Sequence, residues 1–579
     1  MLSLLTALLM TATTPAPAPE WRTPFEASTG NTTATYAECL AYYQKLAAAY
    51  PAQLSLREAG PTDCGQPIHE VVLTANPAAS PARRPVVFIQ NGIHPGEPEG
   101  IDASMMLARD LLQDKKLRPL LEGLTIVLVP VYNVDGMLNR NATTRANQNG
   151  PAEYGFRGNA RHLDLNRDYV KQDSRNARTF AALFQKWRPE VFVETHTSNG
   201  ADYQYTMTLI PTQHNKLAPA LGGYLQQELL PALYQGMEKK KWPMTPYVNP
   251  IGETPETGIV AFPDLGRYST GYAALFNSIG FMPETHMLKA YPPRVRSTYD
   301  FLLTVLETVR RQAPQLLAAR SAADQQLQQQ SAFPLGWQLD ESQVETFQFK
   351  GYEAGYKPSE VSGLPRLYYD RSKPFTRPVK YFNTYRPVMA LKPPLAYLIP
   401  QAWGEVIENL QRNGVKLRRL DKGLTGPAET YYIEDFKTSP RPFEGHYLHS
   451  AIQLETRSQK QETAPAGDYL AVLGEQGPAR RYLVEALEPQ SPDSFFAWGF
   501  FDSILQQKEH FSDYVFEDLA AEVLRQQPVL RQQLEEKQKA DPAFAKDAEA
   551  QLNWVYRRSP YYESGHNRYP VLRWQGAVE

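Results

Sequence analysis

The sequence predicts an α/β chain: a mixed, mostly parallel central sheet flanked by helices, followed by a mixed α/β accessory region. Three observations carry this reading. Between about residues 36 and 313, short apolar β-rich runs alternate with longer amphipathic stretches, the pattern of a sheet covered by helices. Several of the apolar runs are nearly continuous, as strands buried on both faces are. The runs also end in segments that contain His, Asp, Asn, Arg or Glu, and open α/β sheets bind ligands beyond the carboxyl ends of their strands.

In chain order, residues 1–20 open with an apolar run of about ten residues followed by small residues and prolines. This suits a secretory signal peptide and is too short to span a bilayer. The expected strands are residues 69–74, 86–91, 125–131, 190–194 and 280–284, and the expected helices are 35–50, 100–112, 174–186, 217–235 and 295–311. A Gln- and Ala-rich stretch at 312–330 reads as a final helix leading into a linker. The first, sheet-based unit is therefore expected to span residues 30–330. Residues 335–579 form the accessory region of unassigned role, β-rich to about residue 490 and helical after it, with a strand, helix and strand at 395–399, 403–413 and 415–420.

The chain has 579 residues, enough for two or three domain-sized units. With 60 Lys plus Arg against 62 Asp plus Glu, the net charge is −2, which argues against a nucleic-acid-coating or polybasic membrane-binding protein. No later segment reaches the ~18 consecutive apolar residues of a membrane span. Only two cysteines occur, Cys39 and Cys64, so metal ligands must come from His, Asp and Glu. The two thiols either pair as one disulfide in an oxidising compartment or stay free.

Four segments carry chemistry. The run ending at Gln90 delivers His94-Pro95-Gly96-Glu97 on a tight turn before a helix, and an imidazole and a carboxylate at this offset can face one zinc ion. The run 125–131 ends in Asn133-Val134-Asp135-Gly136, followed by Arg157, Arg161, Asp164, Asn166 and Arg167. Arginine forks of this kind hold a carboxylate bidentately or stabilise an oxyanion. Two further apolar runs end in Glu194-Thr195-His196 and Glu284-Thr285-His286.

Together these motifs resemble the zinc carboxypeptidase family, the relatives of carboxypeptidases A, B and T, over residues 36–313 and in the family's order. The resemblance implies one zinc ion bound by His94, Glu97 and His196, a water in the open fourth position and Glu284 as general base. It also implies that Arg157 polarises the scissile carbonyl, that Asn166 and Arg167 hold the substrate's terminal carboxylate, and that Asp164 fixes the tautomer of His94. Arg161 competes with Arg157, and spacing favours Arg157. His286 competes with His196, and order favours His196. The family's mobile tyrosine has Tyr268 and Tyr272 as its nearest candidates. Asp168 either weakens the carboxylate clamp or points away and caps the next helix.

The leading expectation is a secreted or periplasmic zinc carboxypeptidase acting on peptides or proteins. The alternative is a zinc amidohydrolase of the same fold acting on bacterial cell-wall stem peptides or N-acyl amino acids. A catalytically inactive binding protein would have lost a ligand or the base, and all four residues are present. A serine hydrolase lacks its Gly-x-Ser-x-Gly elbow here, and a thermolysin-like enzyme lacks His-Glu-x-x-His. His446, His449, His510 and His566 show no carboxylate at ligand spacing.

Overall fold

The computed structural model describes residues 17–75 and 83–578. The expected signal peptide falls largely on residues 1–16, outside the described residues. Two compact units divide the chain. The first takes the residues up to Pro393 together with Glu408–Lys416 and Gly474–Ala486; the second takes Pro394–Ile407, Leu417–Leu473 and Leu487–Glu579.

The first unit is built on a nine-stranded mixed sheet. Its strands are β1 (Leu54–Pro61), β2 (Pro67–Leu73), β3 (Val86–Gln90), β4 (Thr125–Val129), β5 (Val191–Glu194), β6 (His196–Ser198), β7 (Met207–Pro211), β8 (Met244–Pro246) and β10 (Ile279–His286). Their spatial order is β1-β2-β4-β3-β5-β10-β7-β8, with β6 continuing alongside β10. The central pairs β4/β3, β3/β5 and β5/β10 are parallel; β1/β2 and β2/β4 are antiparallel at one side, and at the other β7 is antiparallel to β10 but parallel to the edge strand β8. Every residue of β5 and β10 is buried, which is why these runs are continuously apolar until they reach their polar ends.

Helices cover the sheet: α1 (Tyr36–Ala49), α2 (Glu99–Gln113), α3 (Arg175–Trp187), α4 (Leu230–Lys239), α5 (Ser269–Leu275), α6 (Tyr291–Arg311) and α7 (Ala313–Gln329). Thr35 and Glu38 close α1 with a reciprocal capping box. Gly100, in the first turn of α2, sits where a Cβ would strike Thr195 and Asn91, so only glycine lets this helix start against the ends of β3 and β5. The expected helix 217–235 is instead Pro219–Tyr224, a widened turn at Leu225–Leu229, and α4. Pro231 has no N–H to continue the regular ladder there.

Residues 313–329 form the expected helix, α7, but it leads straight into a strand that starts at Phe333 and not into a linker. Leu316, Arg320, Ala323 and Leu327 form a buried stripe on α7, and Arg320 donates to the Pro189 carbonyl at 3.1 Å, so the glutamines are simply its exposed side. The first unit also runs past the expected boundary near 330. A long hairpin, β12 (Glu345–Pro358) with β13 (Pro365–Phe382), pairs through Tyr381 and Phe382 with β9 (Ile259–Val260), and β11 (Phe333–Leu339) pairs with β14 (Tyr385–Leu391). Phe349 and Val379 of the hairpin pack with Tyr203, Tyr205 and Ile259 in one buried cluster, which no local sequence pattern announces.

In the second unit, β15 (Ala396–Ile399), β16 (Arg418–Arg419), β17 (Leu424–Thr438), β18 (His449–Ala464), β19 (Tyr469–Val472) and β20 (Leu572–Trp574) form an antiparallel sheet in the order β16-β19-β15-β20-β17-β18. Three helices, α8 (Asp513–Gln526), α9 (Pro528–Ala540) and α10 (Ala548–Tyr556), share a core of Phe516, Leu530, Leu552 and Tyr556. The region is β-rich and then helical, and the chain returns to the sheet in β20. His449 begins β18 and lies 2.9 Å from Asp502 through Nε2. Cys39 is buried in α1 and Cys64 is exposed; both are free, which decides against the disulfide. Among the described residues, no helix is long and apolar enough to cross a membrane.

Candidate active site and metal centre

The carboxyl ends of β3, β5 with β6, and β10 converge on one polar cavity of about 460 Å³. His94 and Glu97 lie on the turn between β3 and α2. In the register of β6 against β10, His196 stands directly beside Glu284, so one parallel pairing sets both side chains at the same level of the sheet. His94, Glu97, His196 and Glu284 all line the cavity, with Arg157, Asn166, Arg167 and Tyr268.

Among the described residues, His94, Glu97 and His196 form the one cluster of three able to hold a metal ion, with one ligand atom from each lying within 4.8 Å of the others. The Nδ1 atoms of both imidazoles turn to the Glu97 carboxylate, at 3.3 Å from His94 to Oε1 and 3.2 Å from His196 to Oε2. Around a tetrahedral zinc with ligand distances of about 2.0–2.2 Å, neighbouring donors stand roughly 3.3–3.6 Å apart, so the residues present fit the ion. His286, the rival ligand, is turned away: its Nε2 lies 2.8 Å from the Ala201 carbonyl and its ring packs edge-on against Tyr203.

Each imidazole is held from behind by a carboxylate. Asp164 Oδ1 lies 2.9 Å from His94 Nε2, and Glu194 Oε2 lies 2.8 Å from His196 Nε2. Both contacts engage Nε2, so Nδ1 is the atom that would face an ion. Glu194, fully buried, also accepts from Gln90 Nε2 at 2.8 Å and from the Tyr169 hydroxyl. The signal for Glu194 lay in the sequence: two residues before His196 on a strand, it shares that residue's face. Arg145 had no such signal. It comes from the irregular loop after Asn139, donating to Glu97 Oε1 at 2.8 Å and to the Thr197 carbonyl at 3.1 Å.

The electrostatics follow from burial among these charges. Burial raises the Asp164 carboxyl, but His94, Arg157 and Arg167 outweigh it and hold the group far below the usual range. Burial likewise opposes ionisation of Glu97, and Arg145 and the two imidazoles overcome it. Burial opposes protonation of His196, yet Glu194 and Glu97 raise it to about 10. Glu284 has no such cationic grip: burial pushes it up to about 7, with Glu97 adding to the rise and His196, His94 and Arg157 restraining it.

Arg157 donates to Asp164 Oδ2 at 2.8 Å and reaches His94 Nδ1 at 3.2 Å and Glu97 Oε1 at 3.4 Å, with 46 % of its side chain exposed. Arg161 instead donates to the Asp173 carbonyl and does not line the cavity. The Asn166 Nδ2 atom lies 3.5 Å from His196 Nε2, and its Oδ1 accepts from the Ser269 amide. The guanidinium of Arg167 stacks 4.5 Å over the ring of Tyr268. Asp168 points away from the cavity: buried, it accepts from Lys171, Asp173 and Ser174 at the start of α3.

Tyr272 requires a correction. It is fully buried, its ring is packed by Phe180, Phe184 and Phe276, and its hydroxyl donates to Asn413 at 2.6 Å, so it cannot meet a substrate. The cavity's second tyrosine is Tyr247, on the Pro-rich loop between β8 and β9, where no motif was legible.

Residues 39–215 match the family model described as zinc carboxypeptidase. The chain is similar to carboxypeptidase 2 of Trichophyton rubrum, with 24% identity over 451 residues that cover 73% of this chain and 75% of the relative. It is similar to carboxypeptidase 2 of Trichophyton equinum at 24% identity over 440 residues, covering 71% and 73%. Among solved structures, the metallo-carboxypeptidase of Pseudomonas aeruginosa in complex with (2-guanidinoethylmercapto)succinic acid superposes with a TM-score of 0.38 at 14% identity, covering 49% of this chain and 70% of that one. Residues 39–215 thus match the zinc carboxypeptidase model and the chain is similar to curated carboxypeptidases, which supports a metallopeptidase hydrolase.

Proposed function

We propose that the protein is an exported zinc carboxypeptidase that hydrolyses the C-terminal peptide bond of peptides or proteins, with one zinc held by His94, Glu97 and His196 and with Glu284 as general base. The observation that carries this is the register of β6 on β10, which sets a buried carboxylate without a cationic partner beside a three-donor metal cluster. Bound zinc supplies Lewis acidity and acidifies water to a pKa of about 7. Glu284, itself raised to about 7 by burial, is matched to accept a proton at its carboxylate near neutral pH and to give it up to a leaving amine. Arg157 is the donor for the carbonyl oxygen as it gains charge, and Arg145, which reaches the same Glu97 oxygen, adds positive charge beside it. Asn166 and Arg167, with Tyr268 stacked on the guanidinium, form the clamp for the terminal carboxylate. Asp164 and Glu194 orient the two histidines. The apolar run at the N-terminus supports export, to the periplasm or the medium.

The test is metal analysis of wild type and Glu284→Gln, with turnover measured on peptides whose C-terminus is free or amidated. The variant is expected to retain zinc and to lose at least ~10² in rate, the low end for removing a general base. Equal turnover of free and amidated peptides would overturn the carboxypeptidase reading.

A further inference from the structure

The segment between β9 and α5 borders two cavities. Phe262 and Tyr268 line the catalytic one; Asp264, Gly266 and Gly271 line another, of about 560 Å³, which shares no lining residue with the first. Open space on both accounts leaves the segment little close packing, so its hydrogen bonds decide how firmly it is held.

The segment delivers groups to the carboxylate clamp. The guanidinium of Arg167 lies 4.5 Å over the Tyr268 ring, which meets Phe262 edge-on at 4.7 Å between centroids. The amide of Ser269 donates to Asn166 Oδ1 at 3.2 Å. Tyr268 does this from an unfavourable place. It is the N-cap of α5, a position best served by a short polar side chain, and it makes no side-chain capping bond.

The support comes from Asp264. This residue is 1 % exposed and held at φ 53°, a left-handed conformation uncommon outside glycine. Such strain persists only where the surroundings over-determine it, and it gathers at functional segments. The carboxylate accepts from the Thr270 hydroxyl in the first turn of α5 and, at 3.0 Å, from the backbone N–H of Gln213 just beyond β7. The Asp264 carbonyl accepts from Lys216 Nζ. Burial raises the carboxyl to about 6, with Lys216, Thr270 and Gln213 restraining the rise, so it is ionised at pH 7 and both oxygens accept. Gln213 is itself fixed, donating through its side chain to the Asn383 carbonyl at 2.6 Å. A side chain at position 271 would strike the Leu265 carbonyl, so Gly271 lets the segment fold back on the helix.

We propose that Asp264 is a positioning residue: by tying the start of α5 to the end of β7 it holds Tyr268 against Arg167, and so sets the affinity for the substrate's terminal carboxylate without touching substrate. Its effect on substrate binding rests on the carboxypeptidase reading; the fixing of the segment does not.

Three variants separate the parts. Asp264→Gly keeps the left-handed backbone and removes the carboxylate, Asp264→Asn keeps the shape and one acceptor oxygen, and Thr270→Val removes only the hydroxyl donor. Hydrogen exchange over residues 262–271, read by mass spectrometry, reports how firmly the segment is held. Steady-state kinetics on a peptide with a free C-terminus report what that firmness does. Asp264→Gly is expected to speed exchange and to raise KM about ten- to a hundredfold, the worth of hydrogen bonds to a charged group, with kcat and zinc content unchanged. Asp264→Asn should recover part of the loss, and Thr270→Val should shift KM in the same direction by less; Thr270→Val carries the test if Asp264→Gly fails to fold. In a Tyr268→Ala background, Asp264→Gly should raise KM little further, because the two residues act in series. Unchanged exchange in these variants, faster exchange with KM unchanged, or additive effects of Asp264→Gly and Tyr268→Ala overturn the proposal. If wild type cleaves no free-carboxylate peptide, the carboxypeptidase reading fails, and exchange by itself decides whether Asp264 fixes the segment.

Discussion

Replacing Asp164 by asparagine isolates one carboxylate that serves two parts of the site at once. Its Oδ1 lies 2.9 Å from His94 Nε2 and its Oδ2 accepts from Arg157 Nη2 at 2.8 Å. Asparagine keeps the shape but removes the charge and offers one acceptor oxygen, so one of the two contacts loses its acceptor and the other its ionic character. A hydrogen bond to a charged group contributes about 1.5–3 kcal/mol. Losing the carboxylate behind a metal-binding histidine typically weakens metal affinity about 10–100-fold, or roughly 1.4–2.7 kcal/mol, so the two figures agree. The assay is competition for zinc between the purified protein and a chromophoric chelator at fixed pH, with circular dichroism to verify the fold. Asp164→Asn is expected to bind zinc 10–100-fold more weakly, as typical for such partners, and Arg157→Gln, which leaves the His94 contact in place, to bind it nearly as wild type does. Wild-type affinity in Asp164→Asn would refute the reasoning that this carboxylate sets the tautomer and aim of His94.

Two further outcomes follow from the site's electrostatics and packing. Because Glu194 and Glu97 raise His196 to about 10, the metal-free site carries a proton at pH 7 that zinc must displace. Affinity should therefore rise with pH up to about that value, and calorimetry in buffers of differing ionisation enthalpy should detect proton release; pH-independent affinity between 6 and 8 would contradict it. Tyr272→Phe, which removes a buried hydroxyl donating to Asn413, should cost about 0.5–1.5 kcal/mol of stability and leave KM unchanged, whereas Tyr268→Phe should alter KM with little change in melting temperature. The opposite pattern would return Tyr272 to the substrate.

Much of the site was legible because its chemistry is carried by short local patterns. The turn His94-Pro95-Gly96-Glu97 after a continuous apolar run, and the two strands ending at His196 and Glu284, announce themselves by residue type and position. The choice between the twin tripeptides was legible only by order. Register settles their places in the structure, setting Glu284 against His196 while β10 continues two residues further and carries His286 toward Ala201. Arg145 and Tyr247 were not legible, because an irregular loop has no periodicity to show which side chain it turns inward. The unit boundary was misplaced for a related reason: glutamine-rich composition masks the buried stripe of α7, and the pairing of β13 with β9 joins residues more than a hundred positions apart.

Sequence by itself pointed to the fold class and to the residues proposed as metal donors and base, since these depend on local hydrophobic period and on which side chains can bind a divalent cation. Tertiary structure decided which carboxylate backs each histidine, which tyrosine meets the cavity, and that a distant hairpin joins the first unit. Those outcomes depend on strand register and on long-range packing, where a shift of one residue turns a side chain from the cavity to the opposite face of the sheet.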